Sequence, residues 1–308
     1  MKWKILVSAP YMLPEFERFQ AFFKENDIEA VAADVNERLE EADLLPIIAE
    51  YDGVVCGDDR FTVPVLDAAK KLKVISKWGT GIDSINKEEA NARGIRVCRT
   101  IDAFTEPVAD SALGYILTFA RRLPWMDRQM KGGIWDKIPG RALNEQTIGV
   151  VGVGATGSGV IRRAKPFGGI VLGCDIRDVH PGHIKALGVE MVSFDELLER
   201  SDYVTLHTDL NETSHHLMST AAFQAMKNTA VMVNLARGPS SMSRPLCTHC
   251  RPAKSRAPRW TCSSMSHCLP TARYVPWTTS CWHRTTATQA RKHGRTCTTA
   301  RSINCWMV

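Results

Sequence analysis

The chain has 308 residues, 44% of them hydrophobic and 23% charged, enough for two α/β units at roughly 100–200 residues per domain. Of its 39 Lys+Arg, 11 lie in residues 240–308, while all 33 Asp+Glu lie in residues 1–239; the body therefore holds 28 against 33, a net of −5. The overall charge of +6 averages two unlike segments and does not mark a nucleic-acid binder. No stretch approaches the roughly 18 apolar residues of a membrane span.

Apolar runs of strand length recur from the start: Lys4–Ala9, Ala30–Ala33, Gly53–Gly57, Lys73–Trp78 and Ile95–Cys98. Amphipathic stretches such as Glu15–Glu25 and Val65–Lys71 lie between them. This alternation predicts a doubly wound parallel sheet. Thr105–Arg122 reads as one long helix capped by Thr105 and linking two domains. A second βα series follows at Thr147–Val153, Ile170–Asp175, Met191–Val192, Tyr203–His207 and Ala230–Leu235. The expected organisation is a first domain over 1–100, a second over 101–239 and a separate tail over 240–308. The start has too short an apolar core for a signal peptide. Cys56, Cys98 and Cys174 are scattered as in a reduced, cytoplasmic chain.

Several of these elements end in residues that can do chemistry. Lys77-Trp78-Gly79-Thr80-Gly81 follows a strand, and its glycines could expose backbone N–H groups to a carboxylate. An ordinary turn with a solvated Lys77 is the plain alternative. Residues 151–157 read V-G-V-G-A-T-G between a buried-strand pattern and a helix start. This is the setting a dinucleotide-binding loop requires. Gly152 makes the turn, Gly154 admits a pyrophosphate and Gly157 lets the helix pack closely. The amides near Ala155 and Thr156 face the phosphates at the positive end of the helix. Asp175 ends the next strand and can accept both ribose hydroxyls; its charge disfavours a 2′-phosphate, so NAD is expected over NADP. His207-Thr208 and Arg237 end later strands at the same edge. Arg237 has a fork suited to a carboxylate, the alternative being a surface arginine before a turn. His215-His216 reads as a solvated pair, and no metal is expected.

The tail breaks the pattern. Residues 240–308 lose all hydrophobic periodicity and hold seven of the ten Cys and four of the eight Trp. Three readings compete: a basic disordered arm, a zinc module built on Cys247, Cys250, Cys262, His267 and Cys268, or a reading-frame shift. The genetic code favours the third. If each true codon joins the last base of one codon to the first two of the next, Trp260–Thr261 must give Asp. On the same rule His267–Cys268 must give Leu and Trp282–His283 must give Ala. Allowed choices then restore V-V-D-E after Pro239, L-D-V-F-E-H-E-P-L around Trp260, and D-N-V-L-L-A-P-H-N from Trp277.

The restored peptides, together with K-W-G-T-G-I-D (77–83), P-V-A-D (107–110), the glycine loop with Asp175, and N-L-A-R-G-P (234–239), resemble the D-isomer-specific 2-hydroxyacid dehydrogenases, especially their phosphoglycerate dehydrogenase-like branch. The resemblance implies a flavodoxin-like substrate domain followed by a Rossmann NAD-binding domain, with a non-native tail. It implies hydride transfer between NAD and a small 2-hydroxy or 2-oxo acid, and a homodimer with no nucleic-acid or membrane partner. It makes Arg237 the catalytic arginine and 77–81 the substrate loop. Val108, His207, Thr208, Asn234, Leu235, Ala236 and Arg237 join the glycine loop as cofactor contacts. Asp110 and Asp209 depart from the family's usual Glu and Pro. The family's acid–base histidine and glutamate are absent from the chain as it stands; their codons would straddle Arg284–Thr285 and Met265–Ser266. Loss of that pair impairs the enzyme, and the alternative is a non-catalytic NAD-binding sensor on the same fold.

Overall fold

The computed structural model describes residues 2–241 and 259–262. They divide into two units, with the boundary between Phe104 and Thr105. The helix that the sequence assigns to a linker thus begins the second unit.

In the first unit the strands are β1 (Trp3–Val7), β2 (Ile28–Ala32), β3 (Gly53–Cys56), β4 (Val74–Lys77) and β5 (Arg96–Arg99). They pair in parallel in the order β2-β1-β3-β4-β5, the flavodoxin-like arrangement. Successive side chains of a strand point to opposite faces. Leu6 and Val54 accordingly enter one buried cluster, with Phe61 and Ile75, while Ile5, Val7 and Val55 enter another, with Phe23. A sheet buried on both faces is why these strands read as continuous apolar runs rather than alternating ones.

The second unit contains β6 (Thr147–Val151), β7 (Ile170–Cys174), β8 (Glu190–Met191), β9 (Tyr203–Leu206), β10 (Val231–Asn234) and β11 (Arg259–Cys262). All pair in parallel, in the order β11-β10-β9-β6-β7-β8. Counted from β6 this is the Rossmann order 3-2-1-4-5-6 seen from the far edge. Ile148 and Val150 face one core with Val160 and Ile161; Val151, Val204 and Leu206 face the other with Leu197 and Leu198. Burying one such Ile or Leu contributes about 1.5–3 kcal/mol.

One difference from the sequence reading has a local cause. The helix read as 105–122 stops at Ala120, and a second helix runs Leu123–Lys131. Arg122 sits in the left-handed region (φ 52°), and Pro124, in the first turn of the new helix, lacks the N–H that a continuous helix would need. Within the expected tail over 240–308, the structure describes Ser240, Ser241 and Arg259–Cys262. The backbone of Arg259–Cys262 forms the sixth strand, in register with β10 from Val231↔Arg259 to Asn234↔Cys262. The rest of that tail, with the proposed zinc ligands apart from Cys262, lies outside the described residues.

Candidate functional site

The carboxyl end of β6 feeds a turn that only glycines can make. Gly152 has φ +89°, and a Cβ there would lie 2.7 Å from the His207 carbonyl oxygen. At Gly157 a Cβ would come within 1.9 Å of the Gly152 carbonyl oxygen, so the helix Ala155–Ala164 starts directly on the turn. Gly154 differs: a Cβ would meet nothing nearer than Arg177 Nη2, at 3.5 Å. The Ser158 amide donates to the Gly154 carbonyl at 2.9 Å, closing the first helical turn. The amides of Ala155, Thr156 and Gly157 precede that bond and have no acceptor within the helix, which makes the turn an anion-binding end.

Asp175 follows β7 immediately, its side chain only 4% exposed. Oδ2 accepts from the Val153 amide at 2.8 Å and Oδ1 from the Arg177 amide at 3.0 Å. The Arg177 guanidinium adds a fork, with Nε to Oδ1 and Nη2 to Oδ2, each 3.0 Å. Burial works against the Asp175 charge, but these donors outweigh it and hold the carboxyl below its ordinary range.

Two more strand ends reach this edge of the sheet. His207 follows β9 and shares a 2.8 Å hydrogen bond between Nε2 and the Thr205 hydroxyl. Burial pushes its imidazole down to about 4, so it is neutral near pH 7. Among the described residues, His207 Nδ1 and the Thr208 hydroxyl are buried with no hydrogen-bond partner. At the end of β10, Asn234 is 2% exposed and stitches the following turn. Its Nδ2 donates to the Arg237 carbonyl at 2.8 Å and its Oδ1 accepts from the Ala236 amide at 3.0 Å. Leu235 is buried within the core, and Arg237 stands half-buried just past the strand with Nη1 on the Ala236 carbonyl at 3.2 Å. Val108, half-buried on the helix Thr105–Ala120, packs on the same core. That helix lies against the glycine-loop helix through Ala109 and Gly159, clamped by Arg163 to Glu106 and Asp110.

The constrained Gly152 and Gly157, an open Gly154, helix-end amides with no acceptor within the helix, a buried carboxylate and two orphaned polar atoms at one sheet edge fit a dinucleotide. Among the described residues, no group of three or more His, Cys, Asp or Glu could hold a metal ion, and no helix is long and apolar enough to cross a membrane.

The first unit has its own loop at the end of β4. Lys77 is 3% exposed, and its ammonium turns inward to the Gly57 carbonyl and Asp58. Its stem runs beneath Gly79, where a Cβ would lie 3.2 Å from Cε. The loop is held by the Thr100 amide on the Gly79 carbonyl (2.9 Å) and the Thr80 hydroxyl on the Thr100 carbonyl (3.0 Å). The Trp78 amide donates to Cys56 at 2.9 Å, and Gly81 remains half-buried. Nearby, the Ser8 hydroxyl and the Leu39 amide donate to fully buried Asp59. Burial raises the Asp59 carboxyl despite those donors. Sequence reasoning misses Ser8, Asp58, Asp59 and Arg177. The D-x-R spacing at 175–177 was the available signal for the last.

Residues 113–253 match the family model of the D-isomer specific 2-hydroxyacid dehydrogenase NAD-binding domain. A hydroxypyruvate reductase of Thermotoga maritima is 32% identical over 240 residues, covering 77% of this chain and 75% of that protein. The chain belongs to the D-isomer specific 2-hydroxyacid dehydrogenase family. A D-3-phosphoglycerate dehydrogenase of Methanocaldococcus jannaschii is 36% identical over 206 residues, 66% of this chain. A solved Thermus thermophilus structure superposes with a TM-score of 0.71 at 28% identity, over 87% of this chain and 84% of that one. The chain spans 37% of the length of the phosphoglycerate dehydrogenase and 56% of a matching glyoxylate reductase of Korarchaeum cryptofilum. The family's NAD-binding domain is thus the unit that carries the glycine loop and Asp175.

Proposed function

We propose that the chain is an NAD-dependent oxidoreductase acting on a small D-2-hydroxy or 2-oxo acid, with activity impaired by a reading-frame shift after Pro239. The observation that carries this reading is the glycine cradle with buried Asp175, sharing a sheet edge with Arg237. NAD, when bound, supplies the hydride acceptor. Gly152 and Gly157 shape the turn for the pyrophosphate, the amides of Ala155 and Thr156 donate to it, and Asp175 accepts the adenosine ribose. Arg237, aimed by the Asn234-stitched turn, holds the substrate carboxylate as a fork. The loop 77–81 of the first unit, shaped from beneath by Lys77, offers backbone donors suited to a carboxylate. The acid–base pair comes from the restored frame, where a carboxylate orients the imidazole that takes the hydroxyl proton. The restored L-D-V-F stretch coincides with β11, a sixth strand whose place in the order suits that peptide. Cytoplasmic location and homodimeric assembly belong to the same reading.

Sequencing the DNA across the Gly238–Pro239 codons tests the frame. A chain restored by one base should reduce hydroxypyruvate with NADH, or oxidise phosphoglycerate, and Arg237→Ala should weaken both substrate binding and turnover. A restored chain that binds NADH and turns over no 2-hydroxy or 2-oxo acid would overturn the assignment.

A further inference from the structure

Asp59, just past β3, is wholly withdrawn from solvent at 0% exposed. A carboxylate is costly to bury unless its oxygens are satisfied, and here donors arrive from two other loops. Oδ2 accepts from the Ser8 hydroxyl at the end of β1. Oδ1 accepts from the Leu39 amide, in the loop after β2, at 2.7 Å. The Arg60 amide donates back to the Leu39 carbonyl at 3.0 Å, so residues 59 and 60 clip that loop with two bonds. Gly57 is closed in by the same loops: a Cβ there would lie 2.8 Å from Pro10 Cδ and 3.8 Å from the Glu37 carbonyl oxygen. Its carbonyl, with the Asp58 carboxylate, receives the Lys77 ammonium, whose stem runs beneath Gly79. One buried carboxylate thus ties together the loops after β1, β2 and β3, and the last of these holds Lys77. In the order β2-β1-β3-β4-β5 the winding reverses between β1 and β3. Open α/β sheets bind ligands at such a reversal, outside the carboxyl ends of the strands. The Ser8–Asp59 bond spans it.

We propose that Asp59 is a positioning residue for this crevice, fixing Gly57 and Asp58 so that Lys77 keeps the loop 77–81 in its carboxylate-accepting shape. This rests on the reading of that loop as the substrate loop. The two adjacent acids have separate roles. Asp58 keeps 65% of its side chain in solvent and pairs with Lys77 directly, whereas Asp59 orients the turn that carries both Lys77 acceptors. Asp59 is sealed from solvent and acts on the substrate only through that turn. An Asn at 59 has one acceptor oxygen and an NH₂ in place of the second. The Leu39 amide can only donate and keeps the oxygen; the Ser8 hydroxyl must then turn round and accept. The negative charge that acts on Lys77 is lost as well.

Two readouts on the full 308-residue chain test this, each comparing the unaltered protein with Asp59→Asn and Ser8→Ala. The first is acylation of lysines by N-hydroxysuccinimidyl acetate, mapped by mass spectrometry. Lys77 is 3% exposed and should be protected, while Lys73, exposed before the same strand, serves as the reference. Lys77 labelling relative to Lys73 should rise about tenfold in Asp59→Asn, the scale of one hydrogen bond to a charged group, and in the same direction in Ser8→Ala. The second is titration of glyoxylate, a 2-oxo acid, into the NADH-loaded chain. Its affinity should fall about tenfold in Asp59→Asn, with NADH affinity within about twofold because the dinucleotide loop is a separate site. The two variants check one another if either is poorly folded. Labelling and glyoxylate affinity both within about twofold of the unaltered chain, in both variants, would overturn the role of Asp59 and leave the substrate loop standing. Release of Lys77 with undiminished glyoxylate binding would overturn it too, by separating Lys77 from the loop's function. An unaltered chain that binds NADH and no glyoxylate would overturn the substrate-loop reading, and this proposal with it.

Discussion

The two candidate loops of this protein sit at the carboxyl ends of parallel strands and are both rich in glycine, yet they are built on opposite principles. In the second unit the glycine loop is a backbone device. Gly152 and Gly157 are required by a positive φ and by contacts of 2.7 and 1.9 Å, and the charge nearby, Asp175, is fixed by backbone amides. In the first unit the loop 77–81 rests on a side chain, the buried ammonium of Lys77, which is tied to Gly57 and Asp58. The contrast teaches that similar glycine punctuation can mark a surface shaped for a ligand or a loop propped from within. Which of the two applies depends on where the adjacent charge points.

The largest effect should come from Gly157→Ala, where the new Cβ meets backbone that cannot rotate away. Overpacking of this kind costs about 1–3 kcal/mol and more when backbone must shift, so the upper end or beyond is expected in chemical denaturation. A loss under about 0.5 kcal/mol, the scale of a neutral surface change, would break the account of the turn. Lys77→Met should follow, at about 2 kcal/mol, the scale of hydrogen bonds to a charged group. Its cost is limited because Asp58 keeps 65% of its side chain in solvent and is not left stranded. If Lys77→Met proves neutral, the ammonium does not prop the loop.

His207 sharpens the comparison through pH. Its imidazole is held down to about 4 in the folded state by burial, against about 6.5 in the unfolded chain. The unfolded state therefore binds more protons between those values, and stability rises with pH across the window from about 4 to 6.5. His207→Gln should flatten that part of the pH–stability curve by an amount on the order of 1–3 kcal/mol. Identical curves for the two proteins would show that His207 is not held neutral.

Much of this was readable in advance because it is local. Apolar runs such as I-V-L-G-C and the spacing from Gly157 to Asp175 are set within one βα unit, and the structure gives the expected strand–turn–helix there. What escaped depends on partners distant in sequence or on a rotamer. Lys77 turns inward because Asp58 lies at the end of the neighbouring strand, nineteen residues away. Arg177 closes on Asp175 through its side-chain torsions, which a D-x-R spacing leaves open. β11 was missed because Arg259–Cys262 carries no strand pattern; its place comes from backbone pairing with β10. The helix break at Arg122 was signalled by Pro124, and the amphipathic run masked it.

The central claim, that the glycine loop is a dinucleotide cradle, is tested most directly at the one loop glycine that the fold itself does not need. Gly154 has no positive φ, and its nearest neighbour, the far end of the Arg177 side chain, is at 3.5 Å. Gly154→Ala should therefore fold as the unaltered chain does, with a thermal midpoint within about 2 °C. In NADH titration it should bind at least about tenfold more weakly, because its Cβ stands where the pyrophosphate approaches the backbone. An unchanged NADH affinity in a normally folded Gly154→Ala protein would contradict the account.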